Sequence, residues 1–347
     1  MKDKRILLCR LGGIGDVIHT LPLVKYLRKK YPASSIEYLT SPNVAELLEK
    51  FCPYIDKVWE FDKKNKKQIC QEITNHSGRI DYFFNLHSSL SFYFVNLFFF
   101  RARKFFQYRK EKNIHAVINF ARTYDSLISA FELDYNTMEE FNSDELLKKY
   151  NLKENKYICI VPGVGKSRVH RGWPFENWLS ITKKFLYLNS DLKVVFLGGE
   201  DEKKLFDKWY ELSKNMPASE SDISIPGFKD NAINLLNKLT LPESAMIISK
   251  AKKIISCDTG LLHVASAFSK SVIGLYGPTL PERTGPFTGD YNVLIAKNCK
   301  CSSGLFDSKK CKITKLPKGF CMDSLTVDNV LSNISGDLTS KQIQNVV

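Results

Sequence analysis

The residues best suited to chemistry lie in one short run, Cys257–His263. The run follows an apolar stretch that predicts a buried parallel strand, and it opens a predicted helix over 261–268. Asp258, Thr259 and Gly260 therefore lie at the turn between strand and helix, where open α/β sheets bind ligands. The N–H groups and dipole of the helix start would attract an anion, and His263 follows in the first turn. The simpler alternative is that Asp258 or Thr259 only caps the helix.

A second glycine-rich turn follows the first predicted strand and contains Gly12, Gly13 and Gly15. The spacing departs from the Gly-x-Gly-x-x-Gly pattern of dinucleotide-binding loops, which argues against a nicotinamide oxidoreductase. Asp16 stands where a phosphate would meet the helix start, and its carboxylate would repel that phosphate. The same position suits a carboxylate that the helix dipole keeps ionised and ready to accept a proton. A helix cap is again the alternative interpretation.

A third group of residues follows a later strand, in the run Gly165–Trp178. Lys166, Arg168 and Arg171 place positive charge beside the end of that strand, and arginine matches the geometry of phosphate. Trp173-Pro174 then begins a predicted helix, with proline in its first turn. This run is therefore a candidate phosphate site, and a solvated basic loop is the alternative.

The elements that must position these residues alternate strand and helix in two blocks, which predicts two doubly wound α/β domains. The border is expected near 150–155, and a cleft between two such domains would receive both glycine-rich turns. The lysine-rich residues 65–68 predict a solvated loop. The first block has predicted strands at 5–11, 35–39 and 82–86 and helices at 16–30 and 43–50. The second has strands at 157–161, 192–197, 253–256 and 271–275 and helices at 178–189, 203–214 and 242–251.

Length and composition fit a soluble protein of two domains, since the chain has 347 residues of which 44% are hydrophobic. No apolar run approaches the roughly 20 residues that span a bilayer. The N-terminal apolar stretch is too short for a signal peptide and continues into a strand. We therefore expect a cytoplasmic protein.

The net charge of +14 favours anionic partners. A nucleic-acid binder is disfavoured, because the charge is spread over both halves without a recognised binding module. One local excess follows the aromatic run 92–106, and it consists of Arg101, Arg103, Lys104, Arg109, Lys110 and Lys112. This segment could dock on an anionic membrane surface or on phosphorylated sugars. The alternative is a buried core helix with a solvated basic end.

The nine cysteines fall into two groups. Five are single and predict reduced core residues, namely Cys9, Cys52, Cys70, Cys159 and Cys257. The other four form the pattern Cys-x-Cys-x9-Cys-x9-Cys, at Cys299, Cys301, Cys311 and Cys321. Four sulfurs can bind zinc or iron, although Cys-x-Cys is tighter than the usual zinc knuckle. Reduced thiols in a loop and a disulfide are the alternatives.

Three motifs in this order resemble glycosyltransferase family 9, the ADP-heptose:lipopolysaccharide heptosyltransferases. They are Arg10–Pro22, Arg171-x-Trp-Pro174 and Asp258–His263, and the resemblance extends over about residues 4–330. It implies a GT-B fold of two Rossmann-like domains. Residues 1–152 would bind the acceptor and residues 153–347 the ADP-sugar, and the last helix could pack back on the first domain.

The resemblance also implies roles for individual residues. Asp16 matches the catalytic base, and Gly12, Gly13 and Gly15 form the acceptor-side loop around it. Arg171 stands where the family has a phosphate-contacting lysine, so this chain keeps the charge and changes its geometry. The remaining matches are all on the donor side: Asp258, Thr259, Gly260 and His263 form the sugar and diphosphate loop, Glu202 matches an acid for the ribose hydroxyls, Leu239 falls beside the adenine, and Ser167 and Lys166 lie near the phosphates.

The activity that the resemblance implies is inverting transfer of heptose from ADP-L-glycero-D-manno-heptose to the inner core, at Kdo or heptose, of a lipid A–core acceptor. The reaction would need no cofactor. An enzyme of this kind would work in the cytoplasm, where it could lie on the inner membrane. A protein or another polysaccharide as acceptor is the alternative, which the late cysteines leave open.

Overall fold

The computed structural model of the protein describes residues 3–89, 91–111, 113–204, 206–207, 228–297 and 320–334. Contacts divide the chain into two compact units. The first consists of Met1–Asn142 together with Ser266–Ser269 and Phe287–Gly289, and the second contains the remaining residues. The main division thus falls between Asn142 and Ser143, before the border expected near 150–155. The helix Asp144–Lys149 belongs to the second unit.

The first unit is built on a five-stranded parallel sheet in the order β3-β2-β1-β4-β5. Its strands are β1 (Arg5–Cys9), β2 (Ser35–Thr40), β3 (Lys57–Glu60), β4 (Tyr82–Asn85) and β5 (Lys104–Gln107). The central strand β1 is buried along its whole length. Continuous apolar strands are typical of parallel sheets, because both faces are covered. The strands β3 and β5 are additions to the sequence-based prediction.

A charged side chain interrupts the apolar interior of this sheet. Glu37 of β2 is fully buried, and its two carboxylate oxygens accept hydrogen bonds from Arg5 Nε at 2.6 Å and Arg5 Nη2 at 3.0 Å. The indole Nε1 of Trp59 on β3 donates a third hydrogen bond, at 2.7 Å. Because these donors replace the water that the carboxylate has lost, the charge is tolerated. The three residues tie β1, β2 and β3 together.

Two local predictions in the first unit are wrong. The single helix expected over 16–30 is two helices, Ile14–Ile18 and Leu21–Lys30, because Pro22 takes an early position in the second helix where its missing N–H costs nothing. The expected loop 65–68 instead opens the helix Lys66–His76, which buries Cys70 and Ile73. Further helices are Pro42–Phe51, Ser91–Val95, the π-helix Asn96–Phe100 and Ala116–Ala121, with short 3₁₀ turns at Lys63–Asn65 and Ala130–Glu132.

The second unit is built on a six-stranded parallel sheet in the order β11-β10-β9-β6-β7-β8. Its strands are β6 (Tyr157–Val161), β7 (Lys193–Phe196), β8 (Ala232–Asn234), β9 (Lys253–Cys257), β10 (Val272–Tyr276) and β11 (Tyr291–Ile295). The first strand of this unit, β6, again lies inside the sheet. The five single cysteines of both units are buried free thiols, as predicted.

The helices of the second unit confirm most of the predicted positions. They are Asp144–Lys149, Phe175–Leu188, Leu241–Lys250, Gly260–Ala267 and Val327–Ile334, with shorter helical segments at Lys166–Arg171, Phe228–Asn231, Pro281–Thr284 and Phe320–Ser324. The helix expected over 203–214 is described only at 200–204 and 206–207, and the rest lies outside the described residues. The last described helix packs on Phe175–Leu188 through an ion pair of Lys184 and Asp328 at 2.6 Å. This helix thus packs within the second unit, and residues 335–347 lie outside the described residues.

Both sheets reverse their winding direction beside their first strand. The reversal lies between β1 and β4 in the first sheet and between β6 and β9 in the second. Loops that leave adjacent parallel strands in opposite directions open a crevice at the carboxyl edge, which is where such sheets bind ligands. The prediction of two doubly wound α/β domains is confirmed. In the described part of the chain, every helix is too short or too polar to cross a membrane.

The buried ion pair of the first sheet yields a stability prediction. Replacing Glu37 by Gln leaves the Arg5 guanidinium buried without a counter-charge, so we expect a loss of about 3–5 kcal/mol in the free energy of unfolding. Urea denaturation followed by tryptophan fluorescence would measure it, since Trp59 contacts Glu37 directly. The control is Glu46→Gln on the exposed face of the helix Pro42–Phe51, which should change stability by less than about 0.5 kcal/mol. Equal effects of the two substitutions would contradict the role assigned to Glu37.

Candidate functional site

The crevice of the second sheet holds a buried ion pair. Asp258 directly follows β9, and Arg171 ends the helical segment Lys166–Arg171 after β6. Arg171 Nη1 donates to Asp258 Oδ2 at 2.8 Å, and the Asp258 side chain is only 6% exposed. The structure thus joins two motifs that lie 87 residues apart in the sequence. They meet because β6 and β9 are neighbours in the sheet.

Asp258 is held as a carboxylate. Burial by itself would raise its pKa, but the hydrogen bond and charge of His263 and the charge of Arg171 outweigh burial and leave the pKa below its usual value. His263 Nε2 lies 3.4 Å from Asp258 Oδ1, on the oxygen that Arg171 does not bind. His263 comes from the first turns of the helix Gly260–Ala267, as the sequence predicted.

Thr259 and Gly260 shape the start of that helix. Thr259 Oγ1 lies 3.0 Å from Ser256 Oγ and accepts a weak hydrogen bond of 3.5 Å from the amide of Leu262. The capping alternative therefore holds for Thr259, whereas Asp258 is engaged with Arg171. Sequence reasoning assigned no role to Ser256, and the one available signal was a hydroxyl inside the buried strand β9.

The basic loop after β6 begins at Gly165, whose φ of +72° lies in the region that favours glycine. Residues Lys166–Arg171 follow as a 3₁₀ segment with a kink at Arg168. The side chains of Lys166 and Ser167 lie outside what the structure describes, and Arg168 is exposed. Within this loop, Arg171 thus has a described partner in the crevice, Asp258.

Glu202 lies at the same carboxyl edge of the second sheet. Its Oε2 accepts a hydrogen bond of 2.8 Å from the amide of Gly199, in the loop after β7. The carboxylate rests on Gly163, where a Cβ would lie 2.0 Å from it, so a larger residue at this position would require the Glu202 side chain to move. Leu239 lies beyond β8 and directly precedes Thr240, the N-cap of the helix Leu241–Lys250. These placements leave the ribose and adenine assignments as predictions.

The crevice of the first sheet holds a second ion pair, between Arg10 Nη2 and Asp16 Oδ2 at 3.0 Å. Asp16 is 45% exposed, so its carboxylate is open to a ligand. The helix it stands on, Ile14–Ile18, has only five residues, so Arg10 rather than a long helix dipole supplies the nearby positive charge. Gly13 precedes this helix as its N-cap residue. Gly12 lies against Asp16, since a Cβ there would be 3.5 Å from Oδ2.

Arg10 and His87 are further functional candidates. Arg10 opens the first motif, but sequence reasoning gave it no role, and it missed His87 altogether. Arg10 Nη1 donates to the Leu86 carbonyl at 2.8 Å, and the amide of Leu11 donates to His87 Nε2 at 2.6 Å. Both bonds join the loop after β1 to the loop after β4. Burial, with a smaller effect of the Arg10 charge, lowers the pKa of His87 to about 4, so Nε2 is free of a proton and accepts the bond at neutral pH.

The predicted cysteine cluster is described at one position only. Cys321 is half-buried beside Gly277, where a Cβ would come within 3.0 Å of its sulfur. Cys299, Cys301 and Cys311 lie outside the described residues, so the choice among metal, thiols and disulfide stays a prediction. Within the described ranges, no three His, Cys, Asp or Glu side chains are arranged to hold a metal ion.

Comparison with known proteins identifies the family to which this arrangement belongs. The model of glycosyltransferase family 9 (heptosyltransferase) matches residues 99–313. The lipooligosaccharide heptosyltransferase 2 of Haemophilus influenzae is 24% identical over 165 residues, which are 46% of this chain and 44% of that protein. The lipooligosaccharide heptosyltransferase 2 of Campylobacter jejuni (serotype O:6) is 20% identical over 326 residues, which are 92% of this chain and 95% of that protein.

The fold has a close counterpart among solved structures. The ADP-heptose lipopolysaccharide heptosyltransferase II of E. coli matches with a TM-score of 0.72 at 17% identity. The match covers 95% of this chain and 97% of that one. At this identity the likeness concerns the fold, which is GT-B with two Rossmann-like domains.

The buried carboxylate of the second sheet predicts a pH-dependent stability. Because the pKa of Asp258 is lowered by folding, its contribution is fully present above the unfolded value of about 3.9 and is lost as pH falls through the lower folded value. Asp258→Asn should lower the free energy of unfolding by about 3 kcal/mol at pH 7, because it leaves Arg171 without its counter-charge. Near pH 3 the loss should be smaller. Urea denaturation at both pH values measures this. The exposed Asp191→Asn is the control, and a deficit independent of pH would argue against the ion pair.

His87 predicts a second, separate pH window. Its folded pKa of about 4 lies below the unfolded value of about 6.5, so the stability it adds is complete above pH 6.5 and is lost as pH falls towards 4. His87→Gln keeps an acceptor for the Leu11 amide but does not titrate. Between pH 6.5 and 4, we expect the free energy of unfolding of wild type to fall by about 1–2 kcal/mol relative to this variant. This figure is reduced for solvent screening, because the ring is partly exposed. If the free energies of unfolding of wild type and of His87→Gln changed equally with pH over this range, His87 would not be the group responsible.

Proposed function

Since the chain belongs to glycosyltransferase family 9 (heptosyltransferase), we propose that it is an inverting enzyme that transfers heptose from ADP-L-glycero-D-manno-heptose to the Kdo or heptose of the lipopolysaccharide inner core. The observation that carries the proposal is the buried pair of Asp258 and Arg171 at the crevice of the second sheet. An acid for the sugar and a cation for the diphosphate stand side by side there.

The donor is assigned to the second unit. Arg171 neutralises the diphosphate, and the helix start at Thr259 and Gly260 offers it backbone amides. Asp258 accepts hydrogen bonds from the sugar, with His263 holding its other oxygen. Glu202 is assigned to the ribose hydroxyls and the backbone around Leu239 to the adenine. Lys166 and Ser167 belong to the loop that covers the phosphates.

The base is assigned to Asp16 in the first unit. As the acceptor hydroxyl oxygen forms its bond to the anomeric carbon, the Asp16 carboxylate takes the hydroxyl proton. The bond from the anomeric carbon to the diphosphate oxygen breaks on the opposite face, and its electron pair leaves with ADP. The configuration of the sugar therefore inverts, as in other single displacements at this carbon. Arg10 fixes the orientation of the carboxylate through its ion pair.

The acceptor is assigned as a lipid A–core oligosaccharide. Such a molecule sits in the inner membrane, so the enzyme is expected to work at the cytoplasmic face of that membrane. A protein or another polysaccharide as acceptor is an outcome that the experiment below can reveal. Nucleic acid and nicotinamide cofactors are not assigned a site.

The test is a transfer assay with ADP-heptose and a lipid A–Kdo acceptor, in which both ADP release and sugar transfer are measured. Asp16→Asn should lower the rate of transfer by about 10²–10⁴-fold, because the hydroxyl loses its base. The control is Asp62→Asn, an exposed acid of the same unit, which should leave the rate unchanged. Near-normal turnover of Asp16→Asn would remove Asp16 from the mechanism. ADP release without transfer would point to a different acceptor.

Thermal denaturation with ADP separates the donor site from the base. ADP should raise the melting temperature of wild type and of Asp16→Asn alike, because a ligand that binds only the folded state stabilises it. Arg171→Met should lose this stabilisation, whereas Arg171→Lys should keep part of it. If ADP failed to stabilise wild type, the donor assignment itself would be wrong.

A further inference from the structure

The first unit carries a patch of large apolar side chains on its surface. Tyr93, Phe94, Leu97 and Phe98 are all exposed, Phe94 to 56% and Phe98 to 66%. We call these four residues the aromatic ridge. Single exposed apolar residues are normal on soluble proteins, but four within six positions form a contiguous patch that marks an interaction surface.

The ridge is the outer face of a segment that is apolar on both sides. Phe92, Val95 and Phe100 of the same segment are buried and pack in the core with Phe83 and Cys70. A surface helix of a soluble protein normally turns polar residues outward. Burial of the inner face contributes to the stability of the fold. The outer aromatics have no such role in the core and are therefore candidates for contact with another surface.

The backbone fixes the ridge in a particular shape. The helix Ser91–Val95 continues as the π-helix Asn96–Phe100, an unusual form that occurs frequently at functional sites. Arg101 ends it with a left-handed φ of +46°, and its amide donates to the Asn96 carbonyl at 2.7 Å. The Asn96 side chain accepts a further hydrogen bond from the amide of Ala102 at 3.0 Å. The segment thus ends at a defined place, directly before a run of cations.

Positive charge borders the ridge on one side. Arg101, Arg103 and Lys104 are exposed, and Arg79 Nε donates to the Arg101 carbonyl at 3.2 Å, which adds a fourth cation. The acid described beside them is Asp81, which pairs with Arg103 at 3.3 Å. Residues 91–110 contain five Lys or Arg and no Asp or Glu. The border therefore keeps a net positive charge.

We propose that the aromatic ridge and its basic border dock the first unit on an anionic lipid bilayer. Apolar and aromatic side chains enter the interface between headgroups and acyl chains, and the cations bind the phosphates of anionic lipids. The purpose of this docking rests on the proposed function, because a lipid-linked acceptor is presented at such a surface. The docking itself can be tested without any acceptor.

The charge distribution favours a bilayer over a second copy of the chain. A symmetric dimer through the ridge would use the same patch of both copies, so it would bring two sets of the cations around Arg101 into one interface. Like charges at close range oppose such an interface. An anionic bilayer satisfies the aromatic and the basic residues at the same time.

The test is co-sedimentation of the full chain with vesicles of phosphatidylcholine alone and of phosphatidylcholine mixed with phosphatidylglycerol. Wild type should bind the mixed vesicles and not the neutral ones. Phe94→Ser with Phe98→Ser should weaken this binding about tenfold or more through lost apolar burial. Arg101→Gln with Lys104→Gln should weaken it about fivefold per charge and reduce its dependence on salt.

The matched control is Tyr187→Ser with Leu188→Ser, which removes an exposed aromatic and an exposed aliphatic residue from the second unit. This variant should bind vesicles like wild type. Indifference of wild type to anionic lipid, or an equal loss in the control variant, would overturn the proposal. So would a change of oligomeric state in the Phe94 and Phe98 variant with vesicle binding unchanged, which would make the ridge a protein interface. Thermal denaturation verifies that each variant is folded.

Activity on a delipidated, water-soluble acceptor separates this inference from the proposed function. If the ridge variants lose vesicle binding but transfer sugar to the soluble acceptor at the wild-type rate, docking and catalysis are both supported. If wild type binds anionic vesicles but transfers no sugar to either acceptor, docking stands and the proposed reaction fails. If wild type transfers sugar normally but does not bind anionic vesicles, the proposed reaction stands and docking fails.

Discussion

Parallel strands can be joined only by connections that cross back over the sheet, so a chain that starts in the middle of a sheet must reverse its winding direction once. Both units of this protein start in the middle, at β1 and at β6. At each reversal the loops after two adjacent strands part, and the groups they carry meet at the carboxyl edge. Asp16 and His87 come together in this way in the first unit, and Arg171 and Asp258 in the second. The topology thus selects which distant residues can form a site.

The side chains at the two crevices differ in how their charges are balanced. Asp258 is buried and has lost its water, so Arg171 and His263 must compensate for it, and they hold its pKa down. Asp16 remains nearly half exposed beside Arg10, where water or a hydroxyl can reach it. A buried acid with a partner on each oxygen suits recognition, because its position is fixed and each oxygen can accept a further hydrogen bond. An exposed acid with one cationic partner suits proton acceptance, because the proton donor can approach.

Local sequence patterns were enough to predict most of the fold and to identify the motifs. They were not enough to predict which residues the motifs contact. Buried strands such as Arg5–Cys9 and Tyr157–Val161 were predictable from their apolar runs, and the resemblance to family 9 is confirmed by the match over residues 99–313. The short strands Lys57–Glu60 and Lys104–Gln107 were not predicted, because each has only four residues and at least one of its ends is charged. The bond of Leu11 to His87 spans 76 positions and depends on which strands are neighbours. Composition and periodicity carry no information on such pairs, whereas strand order does.

In the proposed donor site, the arginine at position 171 has a property that a lysine would lack. A lysine ammonium is a compact charge, so attraction to an incoming phosphate would compete with attraction to Asp258. The arginine guanidinium is planar and carries five N–H donors in a fixed fork. Nη1 donates to Asp258 at 2.8 Å, and the fixed fork sets the directions of the other N–H groups relative to that bond. In the proposed reaction, Arg171 would contact a phosphate while it keeps Asp258 in place, so the buried carboxylate would keep its counter-charge when the donor enters. The acid that faces the sugar would then be held in one position before and after donor binding.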